Sequence, residues 1–77
     1  MSSRAASYEQ RAHRRAFGES VARLRQERGW TQEDLAERAD LHRSYLAAIE
    51  TGSRNPTLDV IVKLAHGLHV PVAQLFA

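Results

Sequence analysis

Arg43 and Ser44 are the residues whose chemistry best suits recognition of another molecule, because both stand at the start of a short predicted helix. An arginine guanidinium can form a paired hydrogen bond to O6 and N7 of guanine, which discriminates between bases by about 1–3 kcal/mol. A cation near the positive end of a helix is unfavourable without an anionic partner. The pair therefore indicates nucleic-acid binding. The alternative is that Arg43 is only solvated, as most arginines are.

The elements around this pair have the spacing of a helix-turn-helix. Short helices are predicted over residues 32–39 and 43–51, and the tight turn Asp40-Leu41-His42 joins them. Thr31 is the expected N-cap of the first of these helices. In such a motif the second helix lies in the major groove of DNA, with its first residues at the base edges. The small residues Ala47 and Ala48 on its outward side would let the backbone approach DNA closely.

The rest of the chain is also helical in pattern, which predicts an all-α domain. A long first helix is expected to start from a capping box at residues 7–10 and to end at the Gly29 cap. A fourth helix is predicted from Leu58 to about Gly67 after an N-cap at Thr57, followed by a last turn or short helix from Val70. One face of the first helix carries its apolar residues, which are Phe17, Val21 and Leu24.

Composition limits the classes of protein to consider. The 77 residues make one small domain, and the absence of cysteine excludes disulfides and thiolate metal sites. No apolar stretch is long enough for a membrane span, and neither a signal peptide nor an ordered catalytic cluster is visible. We therefore expect a cytoplasmic protein that is not an enzyme and needs no cofactor or metal. The net charge of +2 hides an asymmetry, since residues 1–28 carry +4 and residues 29–77 carry −2.

Over about residues 17–76 the sequence resembles the Xre/Cro-type helix-turn-helix domain. The resemblance implies a five-helix, lambda-repressor-like fold for residues 17–77, and residues 1–16 form a basic N-terminal extension that continues into helix one. Among members of this family, the combination of Arg43, Ser44 and Tyr45 with Arg54 and Asn55 is most similar to the small controller proteins of restriction–modification systems. The segments that carry the resemblance are residues 24–36 (LRQERGWTQEDLA), 43–46 (RSYL), 49–58 (IETGSRNPTL), 63–65 (KLA) and 70–76 (VPVAQLF).

The same resemblance implies roles for individual residues in binding double-stranded DNA. Gln32 would contact a phosphate and brace the recognition helix, whereas Arg43, Ser44 and Ala47 would face the bases. In the controller group the residue at position 54 is also implied to reach bases. The positions that commonly meet the DNA backbone are occupied here by Tyr45, Arg54, Asn55 and Thr57.

An ion pair between the first and third helices, Arg25 with Glu50, is also implied by the resemblance. Each partner stands next to an apolar residue that we expect in the core, Leu24 or Ile49. We therefore expect a partly buried bridge that fixes the angle of the recognition helix. Removal of one partner from such a bridge leaves the other charge buried and unpaired, which is strongly destabilising.

Two residues depart from the pattern of the family. The usual turn glycine is replaced by Asp40, which can enter the left-handed region at moderate cost. The usual Ser, Thr or Asp cap of the third helix is replaced by His42, a poor cap that costs about 1 kcal/mol. Two interpretations of His42 stay open: either the helix frays slightly in the free protein, or the histidine contacts DNA.

Three other features have an ordinary interpretation and a functional one. His66 and His69 are expected to be surface residues rather than ligands of a shared metal, for which a third ligand is lacking. Trp30 is expected to cover the core beside Gly29 rather than to bind a ligand. The N-terminal arginines are usually just a solvated chain end, but they could also act as an arm on DNA phosphates; they are Arg4, Arg11, Arg14 and Arg15.

A homodimer is expected because the fourth helix and the C-terminus are apolar on more than one face. One stripe of about 100° suffices to pack a helix against a single core. The surplus is either additional core or, as we prefer, an interface that sets two recognition helices about 34 Å apart for adjacent major grooves. The residues predicted at this interface are Leu68, Val70, Val72, Leu75 and Phe76.

The sequence thus predicts a sequence-specific transcriptional regulator that binds a palindromic operator as a homodimer, with a restriction–modification controller as the subtype that the resemblance favours. No sensor domain is expected, so regulation would follow the concentration of the protein. Two alternatives stay open. One is an antitoxin whose main partner is a toxin and which also binds its own operator. The other is a protein-interaction module on the same scaffold. Specific DNA binding with a steep salt dependence would favour the transcriptional regulator over both alternatives.

Overall fold

The computed structural model describes the backbone of residues 3–77 and the side chains of residues 7–77, and it is helical throughout. Four α-helices, α1 to α4, are followed by a short 3-10 helix, and no strand occurs in this part of the chain. The all-α prediction is confirmed, but the fifth helix is a 3-10 turn rather than an α-helix. The bounds are Ser3–Glu27 for α1, Gln32–Ala39 for α2, Arg43–Glu50 for α3, Leu58–Leu68 for α4 and Val72–Phe76 for the 3-10 helix.

The last element is a short 3-10 helix that follows Pro71. Its backbone closes through bonds of short reach, such as the one from the Gln74 N–H to the Pro71 carbonyl at 3.0 Å. With five residues the element is slightly longer than most 3-10 helices, which rarely exceed three or four. Pro71 precedes the element as its N-cap.

Helix α1 begins earlier than the sequence pattern predicted. The expected capping box at Ser7 is wrong, because Ser7 already lies inside the helix that starts at Ser3. Neither glycine nor proline interrupts residues 3–17, and the alanines before Ser7 are strong helix formers, so the helix continues upstream. Residues 1–2 of the predicted extension, and the side chain of Arg4, lie outside the described part of the chain.

The helix-turn-helix is formed by α2 and α3 with the turn that was predicted. The Asp40 backbone is left-handed, with φ at 56°, and its N–H is bonded to the carbonyls of Ala36 and Glu37. His42 provides no side-chain hydrogen bond to the start of α3, whereas Thr57 accepts one from the Val60 N–H at the start of α4. The aspartate therefore takes the place of the family's turn glycine, and the weak cap at His42 is confirmed.

A single core lies between the four helices and the C-terminal turn. It contains Leu68 and Leu75, which have no exposed area in the single chain. These two residues were predicted at a dimer interface, and that assignment is wrong because they have no surface left to offer a second subunit. The other apolar residues of the core are Phe17, Val21, Leu24, Leu35, Ala36, Ala39, Leu46, Ile49, Leu64 and Ala65.

Candidate nucleic-acid interface

Helix α3 buries one face and exposes the other. Leu46 and Ile49 are fully buried, while Arg43 and Ser44 are exposed in its first turn. Ala47, one helical turn after Arg43, is half-buried and adds little bulk to the outer face. The outer face of the helix therefore presents a guanidinium and a hydroxyl without bulky neighbours on that face, as docking against the edges of base pairs requires.

The loop after α3 extends this surface. The Arg54 guanidinium carbon lies 5.6 Å from the centre of the Tyr45 ring, within the range of a cation–π contact. This contact brings together two of the residues expected to meet a DNA backbone. Because one is on α3 and the other is in the loop, helix and loop form one continuous surface.

Asn55 and Thr57 follow on the same loop and are exposed. The Thr57 hydroxyl oxygen accepts a hydrogen bond from the Val60 N–H at 3.2 Å, so its first task is to cap α4. Asn55 borders a shallow crevice together with Arg14 and Pro56, which links the loop to the N-terminal half of α1.

The far end of α3 is held by an ion pair to α1. Glu50 accepts hydrogen bonds from Arg25 through both of its oxygens, at 2.8 Å from Nε and 3.1 Å from Nη2. The third nitrogen of the guanidinium, Nη1, donates to the Trp30 carbonyl at 2.7 Å. The two side chains are only 11% and 6% exposed. The predicted bridge is therefore present, it is bidentate, and hydrogen bonding to Glu50 raises the pKa of Arg25.

Gln32 is the third member of this network. Its Nε2 donates to the Glu50 Oε1 at 2.9 Å, so one carboxylate links α1, α2 and α3. The family resemblance implied that Gln32 braces the third helix, and this bond to Glu50 at the end of α3 is such a brace. The donation occupies one amide proton of Gln32, which leaves its second proton and its carbonyl oxygen for other partners.

Gly18 brings α1 against the same end of α3. A Cβ atom at this position would collide with the carbonyl oxygens of Ile49 and Glu50. Any larger residue here would push the two helices apart or bend one of them. The glycine therefore sets the distance at which Arg25 can reach Glu50.

Sequence reasoning missed two of these features and left a third incomplete. The bond between Gln32 and Glu50 was not foreseen, and no role was predicted for Gly18. A lone glycine inside such a pattern is the one signal that indicates a close approach. Trp30 does pack on the core as expected, but it also carries the Arg38 guanidinium 4.0 Å from its ring centre.

The two histidines considered as metal ligands are not part of a larger ligand cluster in the described residues. The rings of His66 and His69 lie 6.4 Å apart, and residues 7–77 contain no group of three side chains that could hold a metal ion. None of the helices that the structure describes is both long and apolar enough to span a bilayer.

Comparison with known proteins identifies the relatives of this chain. The helix-turn-helix family HTH_3 matches residues 21–75. An uncharacterised HTH-type transcriptional regulator of Sinorhizobium fredii is 40% identical over 62 residues, which cover 80% of either chain. The control protein C.BamHI of Bacillus amyloliquefaciens is 44% identical over 55 residues, covering 70% of this chain and 68% of its own.

A solved structure extends the similarity to three dimensions. The restriction-modification controller protein C.AhdI of Aeromonas hydrophila superposes with a TM-score of 0.83 and 40% identity, over 84% of this chain and 98% of its own. These relatives are described as regulators and controller proteins rather than as enzymes.

Proposed function

The chain belongs to the helix-turn-helix family of DNA-binding transcriptional regulators, and on that premise we propose that it binds a palindromic operator as a homodimer, as a controller of a restriction–modification system. The observation that carries the proposal is the arrangement of α3. Its first turn exposes Arg43 and Ser44, while its last residue, Glu50, is tied to α1 and α2. A helix held in this way can enter the major groove as a rigid body.

Each residue of this surface has a task in the proposed complex. Arg43, Ser44 and Ala47 face base edges, and the arginine discriminates guanine through its paired donors. The other residues meet phosphates, which fixes the register of the protein on the duplex, and Arg54 also reaches bases, as the resemblance to controller proteins implies. They are Gln32, Tyr45, Arg54, Asn55 and Thr57.

The dimer in this proposal uses what remains exposed at the C-terminal end of the chain. Phe76 stacks on Phe17 with ring centres 5.1 Å apart, yet it is 62% exposed. Val70 and Val72, which come shortly before Phe76 in the sequence, are half-buried. A second subunit related by a two-fold axis would cover this apolar surface and place two copies of α3 on one face of the DNA.

The named relatives favour a controller over an antitoxin. C.BamHI and C.AhdI are described as control or controller proteins, and the regulators found beside them give no support to a toxin partner.

The proposal is tested by selecting duplexes from a random pool with the purified protein and measuring affinity for the winning sequence. We expect an inverted repeat whose half-sites are centred about 10 base pairs apart, as two-fold symmetry requires. Arg43→Ala should relax the preference at one base pair per half-site, worth about 1–3 kcal/mol. Arg23→Ala, an exposed arginine on α1 outside the interface, is the matched control and should leave the preference unchanged. A selected pool without any preferred sequence would refute the proposal.

A further inference from the structure

The N-terminal half of α1 carries a basic face that the proposed interface does not use. Arg11, Arg14 and Arg15 fall with Gly18 inside an arc of about 100° on a helix of 3.6 residues per turn. Glu9 is the one acidic residue among residues 7–18, and by the same helical period it points to the opposite side. None of the three arginines forms an ion pair within the part of the chain that the structure describes, so their charge is uncompensated.

This basic face lies next to the loop that follows α3. At Gly52 a Cβ atom would come within 2.9 Å of the Arg15 Cα, so helix and loop touch backbone to backbone. One residue earlier, Arg14 borders the crevice that Asn55 and Pro56 also line. The arginine face therefore continues the surface that bears Arg54 and Asn55.

We propose that this face is an arm that contacts DNA phosphates beyond the loop, so that α1 lengthens the footprint of each subunit. The inference rests on the proposed function, because the loop must lie at the DNA backbone for the arm to reach it. Residues 7–15 extend about 12 Å at 1.5 Å per residue. That length passes several phosphates of one strand, which carries a charge about every 3.4 Å.

The partner is the DNA backbone rather than another anion because the arm is continuous with the loop that meets phosphates in the proposed complex, and no ion pair among the described residues fixes its arginines in an orientation for reading bases. Arginines without a fixed geometry bind phosphates through charge, and this binding is independent of sequence. The arm therefore contributes affinity and salt dependence but no base preference.

A pair of charge-matched variants tests the arm on the duplex selected by the wild-type protein. Arg11→Gln with Arg15→Gln removes two exposed cations from the arm, and Arg23→Gln with Lys63→Gln removes two exposed cations elsewhere. Glutamine keeps a helix propensity close to that of arginine and lysine, and thermal melting checks that both variants fold. Affinity is measured against salt concentration, on a duplex with long flanks and on one trimmed to the inverted repeat.

The arm variant should lower the slope of log affinity against log salt by about 0.9 for each phosphate that it no longer neutralises, close to 2 per bound subunit. Trimming the flanks should weaken the wild-type protein but not the arm variant. The charge-matched control should keep the wild-type slope and the dependence on flanks. Equal slopes for both variants, with sequence preference intact, would overturn the arm and leave the proposed function standing. Failure of the wild-type protein to prefer any duplex would refute both.

Discussion

The two helices of the helix-turn-helix have the same length but are stabilised in opposite ways. At the start of α2, the Thr31 hydroxyl accepts from the Asp34 N–H at 3.1 Å, and the Asp34 carboxylate accepts from the Thr31 N–H at 2.9 Å. At the start of α3, His42 makes no such bond. Helix α2 thus satisfies its own first turn, whereas α3 leaves its first N–H groups without a side-chain partner.

The far ends of the two helices reverse this contrast. Helix α2 ends in a left-handed turn at Asp40, a local device, while α3 ends at Glu50, which is bonded to Arg25 on α1 and Gln32 on α2. Helix α2 is therefore stabilised by local caps at both ends, whereas α3 is stabilised by side-chain bonds to two other helices. Helix α3 is fixed at its last residue, Glu50, and is left open at the end that presents Arg43.

Breaking the anchor should have the largest effect on stability. Arg25→Ala leaves the Glu50 carboxylate nearly buried with only the Gln32 amide as a partner, and loss of one member of a buried pair costs about 3–5 kcal/mol. Each kcal/mol lowers Tm by about 4–8 °C in a domain of this size. Thermal unfolding followed by circular dichroism measures the change.

The matched control for the anchor is Arg23→Ala. Arg23 also pairs with a glutamate, Glu27, but at 3.9 Å and with both side chains more than half exposed. Such a surface pair is worth at most about 1 kcal/mol. If Arg25→Ala melts at the same temperature as the control, the bridge does not fix α3, and the contrast between the two helices loses its anchored end.

Features encoded locally could be predicted from the sequence. Thr31 and Thr57 cap their helices as their residue types predict, and Asp40 enters the left-handed region that the turn demands. Each of these depends on a few neighbouring residues, whose chemistry is visible in the chain itself. The resemblance supplied the pairing of Arg25 with Glu50, which joins residues that are distant in the sequence.

Features that depend on how helices meet could not be predicted in this way. Leu68 and Leu75 look like surplus apolar residues until the C-terminal turn is packed on the core. Gly18 shows its purpose only when the carbonyls of Ile49 and Glu50 lie against it. A single sequence shows which residues of an element are apolar, but it does not show which part of the protein packs against them.

Giving α3 the cap that α2 already has should have an intermediate effect. His42→Ser supplies an oxygen for the N–H groups of the first turn, and a good cap is worth about 1 kcal/mol over a poor one. The variant should therefore melt at a higher temperature than the wild-type protein, as measured by circular dichroism.

The control for the cap is His42→Ala, which removes the imidazole without adding a cap. Because His42 makes no capping bond, the free energy of unfolding of this variant should be within about 0.5 kcal/mol of the wild-type value. Affinity of both variants for the selected duplex then separates the two interpretations of the histidine, since only a DNA contact would weaken both. A serine variant no more stable than the alanine variant would show that the first turn of α3 needs no cap.

The smallest effect concerns the charge at the start of α2 and its dependence on pH. Hydrogen bonding from the Thr31 backbone N–H, assisted by the Thr31 side chain, lowers the pKa of Asp34. A carboxylate whose pKa is lower in the folded state stabilises the fold fully above its unfolded pKa of about 3.9, and this contribution is lost as the pH falls through the folded value. The advantage of the wild-type protein over Asp34→Asn should therefore be constant from neutral pH to about pH 4 and should shrink below it.

Thermal melts of both proteins between pH 7 and pH 2.5 measure this advantage, and Glu33→Gln is the control. Glu33 places a charge in the same first turn but makes no hydrogen bond to Thr31, so subtracting its profile removes the general effect of a negative charge near the positive end of the helix. A difference between wild type and Asp34→Asn that persists unchanged at pH 2.5 would mean that the uncharged carboxyl group of Asp34 accepts the Thr31 N–H as well as the carboxylate does. The capping box of α2 would then owe nothing to ionisation, and its contrast with α3 would rest on geometry alone.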